Sequence, residues 1–275
     1  MSSIEVYPVT GVIGADIRGV DLSETLDDST VDELRKAWLD HLVLFFRDVD
    51  ITPEQQIALA LRFGEIQRPQ LPTAHGGPPE INVLDQTHPK GDGADTWHND
   101  STFAPNPPMG SFLHVVKAPS VGGDTCFANM YAAYETLSPA VQRCIDGLQA
   151  VHDIMPQLVV ANERGHTSMD LDEAREKFQP TRHPVVRTHP ETGRKALFVN
   201  SNHTTHIADM AKAEGDRLLE LLYNHVKSPE LQCRFRWDER SMVFLDNRCV
   251  QHYAVPDYHE RRILHRVTMK GDRPY

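Results

Sequence analysis

A His-x-Asp pair, His98 and Asp100, limits the possible folds of this chain, because a metal site here needs a third ligand from a distant segment. In an extended strand the side chains of residues i and i+2 share a face, so this imidazole and carboxylate can grip one ion. The best candidate for a third ligand is His252, at the end of the segment 246–252. Two His and one carboxylate on one side of a metal form the facial triad of non-haem Fe(II) oxygenases. The fold must therefore bring the middle and the end of the chain together.

A His-x-Asp pair by itself is weak evidence, because a chain with 15 His and 39 Asp plus Glu contains such pairs by chance. The neighbouring residues make the pattern specific. The informative motifs are Trp97–Asp100, Gly122–Thr125, Asp246–Ala254 and Arg261–Arg266. In this order and at these separations they resemble the taurine dioxygenase (TauD/TfdA) family of Fe(II)/2-oxoglutarate-dependent dioxygenases. The resemblance covers nearly the whole chain, from residue 11 to residue 274.

The chain reads as one domain, residues 1–275, mainly β with helices. We expect a double-stranded β-helix (jelly-roll) core with flanking helices, because short strand patterns dominate and no repeat or linker divides the sequence. The predicted strands include 42–46, 81–84, 242–245 and 263–269, with a hairpin over 185–199. Helices are predicted at about 30–41, from the Thr52 cap to Gly64, and at 140–148, 171–178 and 209–227. The Pro- and Gly-rich stretch 67–95 is expected to cover part of the site.

The family resemblance implies a reaction and its co-substrate. Fe(II) would bind 2-oxoglutarate at two open positions and O2 at the third, with succinate and CO2 released as a C–H bond is hydroxylated. Arg262 matches the residue that binds the far carboxylate of 2-oxoglutarate, and Thr125 matches a hydroxyl donor to the same group. Arg266 matches the residue for the anionic head of the primary substrate, while Phe103 and Phe198 match apolar walls around it.

Arg262 and Arg266 can also be placed from the residue pattern. An arginine fork suits a carboxylate because it donates two parallel hydrogen bonds. If residues 263–269 form a strand, Arg262 and Arg266 share one face and both point towards the metal motif. The family's amine-recognising positions are not retained, since these regions read Gln67–Leu71 and Gly93–Asp95 here. The expected substrate is therefore a small anion, namely a sulfonate, an alkyl sulfate or a carboxylate.

The amino-acid composition argues against some classes of binding partner. The net charge of −11 argues against nucleic acid and against anionic membranes, although a cluster of Arg near the C-terminus can form a local anion site. The four Cys show no Cys-x-x-Cys spacing. No signal peptide or membrane-spanning run is evident, so we expect a cytoplasmic protein. The family resemblance implies a homo-oligomer, a dimer or a tetramer.

Two other classes of function remain open from the sequence. A jelly roll can be a metal-stabilised binding protein without turnover, but such a protein should lack the Arg262 and Thr125 pair. The sequence His203-Thr204-Thr205-His206 can be read as the zinc pair of a hydrolase. No Glu lies between these His residues and the segment is predicted to be a loop, so the pattern departs from a helical zinc motif.

Overall fold

The computed structural model of the chain describes residues 4–69, 77–87, 89 and 94–275. Its helices are α1 (Asp28–His41), α2 (Pro53–Leu61), α3 (Met130–Glu135), α4 (Pro139–Ile145), α5 (Met155–Glu163), α6 (Leu171–Lys177) and α7 (Lys212–Val226). Its strands are β1 (Glu5–Pro8), β2 (Ala15–Arg18), β3 (Val43–Phe46), β4 (Ile66–Gln67), β5 (Ile81–Gln86), β6 (Gly110–Lys117), β7 (Thr125–Asn129), β8 (Gln149–His152), β9 (Thr181–Pro184), β10 (Val186–Thr188), β11 (Lys195–Leu197), β12 (Thr204–Ile207), β13 (Gln232–Phe235), β14 (Met242–Asp246), β15 (Val250–Ala254) and β16 (Arg262–Met269).

The largest sheet runs in the order β1-β2-β3-β14-β6-β16, and β16 pairs on its other side with β4 and β5. A smaller sheet has the order β13-β7-β15, and β8 is flanked by β12 and β9 in another. Among the described strands, all pairings are antiparallel except that of β2 with β3. The fold is therefore mainly β, and its core is the jelly roll that the sequence predicts.

Successive residues of β3 face opposite sides of the large sheet, which is why this strand is hydrophobic throughout. Phe45 points towards the small sheet and stacks on Phe235, with ring centroids 4.4 Å apart. Leu44 and Phe46 lie in the apolar layer on the other face, where Trp38 of α1 stacks on Phe244 at 4.2 Å. The space between the two sheets, next to this core, is where the candidate site lies.

Most predicted elements are confirmed, with shifted ends. The capping box of α2 is present, because Thr52 accepts from the Gln55 backbone N–H and the Gln55 side chain accepts from the Thr52 N–H. Helix α1 begins two residues before the predicted start, since Asp27 caps it by accepting from the Thr30 N–H. The hairpin forms from β10 and β11. Helix α5, inside the segment 153–181, was not predicted.

Two local predictions are wrong. Residues 96–100 do not form a strand: only His98 pairs with another segment, and turns follow it. Of the segment 203–206, predicted to be a loop, residues 204–206 belong to strand β12, which pairs with β8. The predicted cover 67–95 lies partly outside the described residues, at positions 70–76, 88 and 90–93. Among the described helices, none is both long and apolar enough to cross a lipid bilayer.

Candidate metal centre and active site

The structure brings His98, Asp100 and His252 together, and one ligand atom from each lies within 4.8 Å of the others. The backbones of His98 and His252 form an antiparallel bridge, with N–H to carbonyl distances of 3.1 and 2.8 Å. Asp100 comes from the turn that follows, and its Oδ1 lies 3.8 Å from His98 Nε2 and 3.9 Å from His252 Nε2. All three residues are buried.

The protonation states of the three groups suit metal binding. Burial lowers the pKa of His98, and it lowers the pKa of His252 to about 3, so both imidazoles are neutral. Burial would raise the pKa of Asp100, but Arg266 and the two histidines outweigh it and hold that pKa well below its usual range. Metal ligation requires neutral imidazole and ionised carboxylate. The triad has this form at neutral pH.

The hydrogen bonds of His98 and Asp100 are compatible with binding of a divalent metal. His98 Nδ1 donates to the Thr96 carbonyl oxygen at 2.7 Å, which leaves the Nε2 lone pair facing Asp100. Such a partner for the second ring nitrogen is usual in metal-binding histidines. Asp100 Oδ2 is buried and has no hydrogen-bond partner among the described residues. The donor set therefore fits an ion such as Fe(II), which takes two His and one carboxylate.

A cavity of about 370 Å³ opens beside the triad. Arg262, Leu264 and Arg266 of β16 all line it, so the predicted strand and its shared face are confirmed. Part of the stretch 67–95, which the sequence predicts to cover the site, also lines this cavity. Arg68 and Asn82 are among its described residues there. Whether the whole of this segment acts as a lid stays a prediction.

Arg262 is a buried cation with no carboxylate partner among the described residues. It is 6% exposed, and its Nη2 donates to Thr125 Oγ1 at 3.4 Å. The Trp237 Nε1–H donates to the same oxygen at 3.0 Å, and the guanidinium carbon lies 5.6 Å from the Trp237 ring centroid. Burial lowers the pKa of Arg262 to about 10. A buried, unpaired cation beside a hydroxyl is suited to receiving an anionic ligand.

Arg266 lies closer to the triad than Arg262 does. Its Nη1 donates to Asp100 Oδ1 at 2.9 Å, and its side chain is 22% exposed. Arg266 is thus accessible from the cavity and is coupled to the carboxylate of the triad. The two arginines on one strand face therefore have different surroundings: Arg262 is deeply buried, and Arg266 is bonded to the carboxylate of the triad.

The two predicted apolar walls have different positions. Phe103 lines the cavity and packs edge-on against His203 and Phe178, with centroid distances of 5.2 and 5.6 Å. Phe198 does not lie among the residues lining the described cavity. It is 1% exposed and packs between His152 and the Arg187 guanidinium, so its role there is core packing. This position argues against the predicted contact of Phe198 with substrate, which stays a prediction.

Sequence reasoning missed His203 as part of the cavity wall. Its Nδ1 lies 3.3 Å from Thr102 Oγ1, which also contacts His152 Nδ1 at 2.9 Å. Burial lowers the pKa of His203 to about 3, so this residue is neutral. No spacing rule signals it, because His203 reaches the cavity only through the pairing of β12 with β8.

The zinc hydrolase alternative is not supported. His206 is exposed on β12, and neither His203 nor His206 belongs to a candidate metal cluster within the described ranges. A second buried cluster, His189, Asp246 and Cys249, has ligand atoms close together. Both Asp246 oxygens are already occupied, since Arg248 donates to each and His189 Nε2 lies 3.0 Å from one. This cluster is therefore an ion-pair network that fixes the turn before β15.

Comparisons with known proteins agree with this geometry. An alpha-ketoglutarate-dependent sulfate ester dioxygenase from Pseudomonas putida is 36% identical, over 98% of this chain and 91% of its own length. The crystal structure of a taurine dioxygenase from Burkholderia xenovorans has a TM-score of 0.84 at 36% identity, covering 99% of this chain and 92% of that one.

The crystal structure of AAD-2 in complex with Mn(II) and N-oxalylglycine also has a TM-score of 0.84, at 32% identity over 99% of both chains. The model of the family described as taurine catabolism dioxygenase TauD, TfdA family matches residues 5–268. With its jelly-roll core and a His-Asp-His cluster beside two cavity arginines, the chain belongs to the TauD/TfdA family.

Proposed function

We propose that this chain is an Fe(II)- and 2-oxoglutarate-dependent dioxygenase that hydroxylates a small alkyl sulfate ester or alkanesulfonate. The observation that carries the proposal is the His98, Asp100 and His252 cluster with two arginines on the adjacent face of β16. When bound, Fe(II), 2-oxoglutarate and O2 supply the oxidation, in which 2-oxoglutarate becomes succinate and CO2. Family membership and the relative that acts on sulfate esters support this assignment.

The protein's own residues provide binding and orientation. His98, Asp100 and His252 would hold the metal, and Arg262 with Thr125 would bind the far carboxylate of 2-oxoglutarate. The burial of Arg262 strengthens this pairing, because a charge-assisted hydrogen bond is stronger when water is excluded. Arg266 would bind the anionic head of the substrate, while Phe103 packs against its apolar part and excludes water.

The charges in the cavity favour a substrate without an amine. The acidic residues in the described lining are Glu80 and Asp100. Glu80 is paired with Arg68 at 2.9 Å, and Asp100 is a metal ligand in this proposal. Neither carboxylate is therefore available to pair with an ammonium group of the substrate. Taurine fits the described cavity less well than a sulfonate or sulfate ester whose carbon chain carries no charge.

The direct test is succinate formation by Fe(II)-loaded protein with 2-oxoglutarate and O2, across taurine, alkanesulfonates, alkyl sulfates, aryloxyalkanoates and fatty acids. We expect stimulation by alkyl sulfates or alkanesulfonates. Hydroxylation at the carbon bonded to the ester oxygen or to sulfur gives a product that expels sulfate or sulfite and leaves an aldehyde, so anion release reports the position attacked. Stimulation by aryloxyalkanoates alone would overturn the substrate class, and unchanged turnover by a His98→Ala variant would overturn the metal assignment.

We further propose that the chain is a single catalytic domain that works in the cytoplasm as a homodimer or homotetramer. The four cysteines are all unpaired, which suits a reducing compartment, and the family match extends over residues 5–268. Light scattering coupled to size exclusion measures the oligomer, and a monomeric mass at micromolar concentration would contradict this part of the proposal.

A further inference from the structure

His98 and Asp100, two ligands in the proposed metal site, are held in place by different interactions. His98 is fixed by the backbone bridge to His252. Asp100 lies outside any strand, and the next residue, Ser101, has a positive φ of 51°, which a non-glycine residue seldom adopts. Backbone pairing therefore ends before the carboxylate, and something else must set its position relative to the two imidazoles.

The side chain of Asn247 takes the place of a pairing strand for Asp100. Its Oδ1 accepts from the Asp100 backbone N–H at 2.7 Å, and its Nδ2 donates to the Asp100 carbonyl oxygen at 3.0 Å. The same Nδ2 donates to the Pro108 carbonyl oxygen at 3.0 Å. A carboxamide carries both a donor and an acceptor, so it can bond to both backbone groups of one residue as a neighbouring strand would.

Asn247 is itself held in place. It is 1% exposed, and its backbone N–H donates to the Met109 carbonyl oxygen at 3.0 Å. The buried side chain of Asn99 donates to the carbonyl oxygens of Asn247 at 2.9 Å and Val250 at 2.8 Å. The segment that carries His98 and Asp100 and the segment that leads to His252 are therefore tied together by two reciprocal amide contacts.

The preceding residue adds rigidity to the same turn. Asp246 accepts from Arg248 Nε at 2.8 Å and Nη2 at 2.7 Å, and both residues are buried. The planar guanidinium of Arg loses little conformational entropy per hydrogen bond, so a buried bidentate pair of this kind holds the turn in one geometry. Asn247 thus presents its carboxamide from a fixed support.

We propose that Asn247 is a positioning residue for the metal centre, acting through Asp100 without touching the metal. This inference rests on the proposed function and deepens it, since it explains how a ligand in an irregular turn is oriented. Asn247→Asp is close in size, but an ionised carboxylate cannot donate to the carbonyl oxygens of Asp100 and Pro108. The carboxylate of Asp100 is then misplaced relative to the two imidazoles.

The test is the dissociation constant for Mn(II), measured by anaerobic titration calorimetry of the metal-free full-length protein. We expect Asn247→Asp to weaken Mn(II) binding by about 10–100-fold, the usual effect of removing a group that orients a metal ligand. Asn247→Ser serves as a second variant in case the aspartate does not fold, because one hydroxyl cannot bridge both backbone groups.

Asn129→Asp is the matched control. Asn129 is also buried and donates to a backbone carbonyl oxygen, that of Val12 at 2.7 Å, but it caps α3 and does not line the cavity. We expect it to lower the melting temperature without changing the Mn(II) dissociation constant. Equal Mn(II) affinities for Asn247→Asp, Asn247→Ser and the control would overturn the proposal.

A double-mutant cycle separates positioning of Asp100 from general damage. With Ni(II) as the probe in both backgrounds, Asn247→Asp should weaken binding in the otherwise wild-type protein. It should cause no further loss in an Asp100→Ala background, where only the two imidazoles remain. The same fold loss in both backgrounds would show that Asn247 does not act through Asp100. Failure of the wild-type protein to bind Mn(II) would instead overturn the proposed function, and the role of Asn247 with it.

Discussion

Replacing Arg262 by Met should have opposite effects on ligand binding and on stability. Arg262 is 6% exposed and has no carboxylate partner among the described residues, so Thr125 and Trp237 compensate only part of the desolvation of its charge. Burial lowers its pKa to about 10. A basic group whose pKa is lower in the folded than in the unfolded state destabilises the folded state while the group is charged. This penalty is present at neutral pH and begins to decrease only as the pH rises through about 10.

The magnitude of the binding loss follows from the hydrogen bonds that 2-oxoglutarate would make. A hydrogen bond to a charged group contributes about 1.5–3 kcal/mol, so losing even one should raise the dissociation constant about 10- to 150-fold. Met keeps much of the aliphatic packing against Trp237 and removes the buried charge. The melting temperature of the ligand-free Arg262→Met variant should therefore equal or exceed that of the wild type.

Calorimetric titration of 2-oxoglutarate into Mn(II)-loaded protein, together with thermal melts without ligand, checks both effects. The control is Arg261→Met, since the neighbouring Arg261 is exposed and paired with Asp85 at 2.9 Å. We expect 2-oxoglutarate binding to be unchanged in this control. An Arg262→Met variant that melts earlier and binds 2-oxoglutarate like the wild type would show that Arg262 is a structural residue, and the reasoning would be refuted.

Three further predictions concern the cavity and its support. Arg266→Ala should raise the KM for the primary substrate about 10- to 150-fold while affecting 2-oxoglutarate binding much less, and equal losses for both ligands would mean that the two arginines are misassigned. Phe103→Ala should raise the substrate KM, whereas Phe198→Ala should leave it near the wild-type value and destabilise the fold by about 3–5 kcal/mol; a KM effect confined to Phe198 would restore it as a substrate contact. Asp246→Asn should lower the free energy of unfolding by about 3–5 kcal/mol at pH 7, because Arg248 is left buried without its partner. Burial alone would raise the Asp246 pKa, but Arg248 and His189 hold it well below its usual range, so the wild-type advantage is present above about pH 4 and shrinks on acidification. Denaturant melts at pH 7 and pH 3 measure this, and a difference that grows towards pH 3 would contradict it.

Elements with local sequence signals could be predicted before the structure. The capping box at Thr52, the hydrophobic strand around Phe45 and the two-residue repeat that places Arg262 and Arg266 on one face depend on neighbouring residues, and the structure agrees with each. The triad could also be proposed, because its residue types match what Fe(II) requires and the flanking motifs identify a family.

Which side chains meet in space depends on the tertiary structure. Asp100 reaches the candidate metal centre from a turn, not from the regular strand that the His-x-Asp spacing suggests, and the Asn247 side chain bonds to its backbone N–H and carbonyl oxygen. His203 lies in the cavity wall and Phe198 lies in the core, because of the pairing and packing of strands that are distant in sequence. Such contacts depend on sheet register, which no local pattern at these residues encodes.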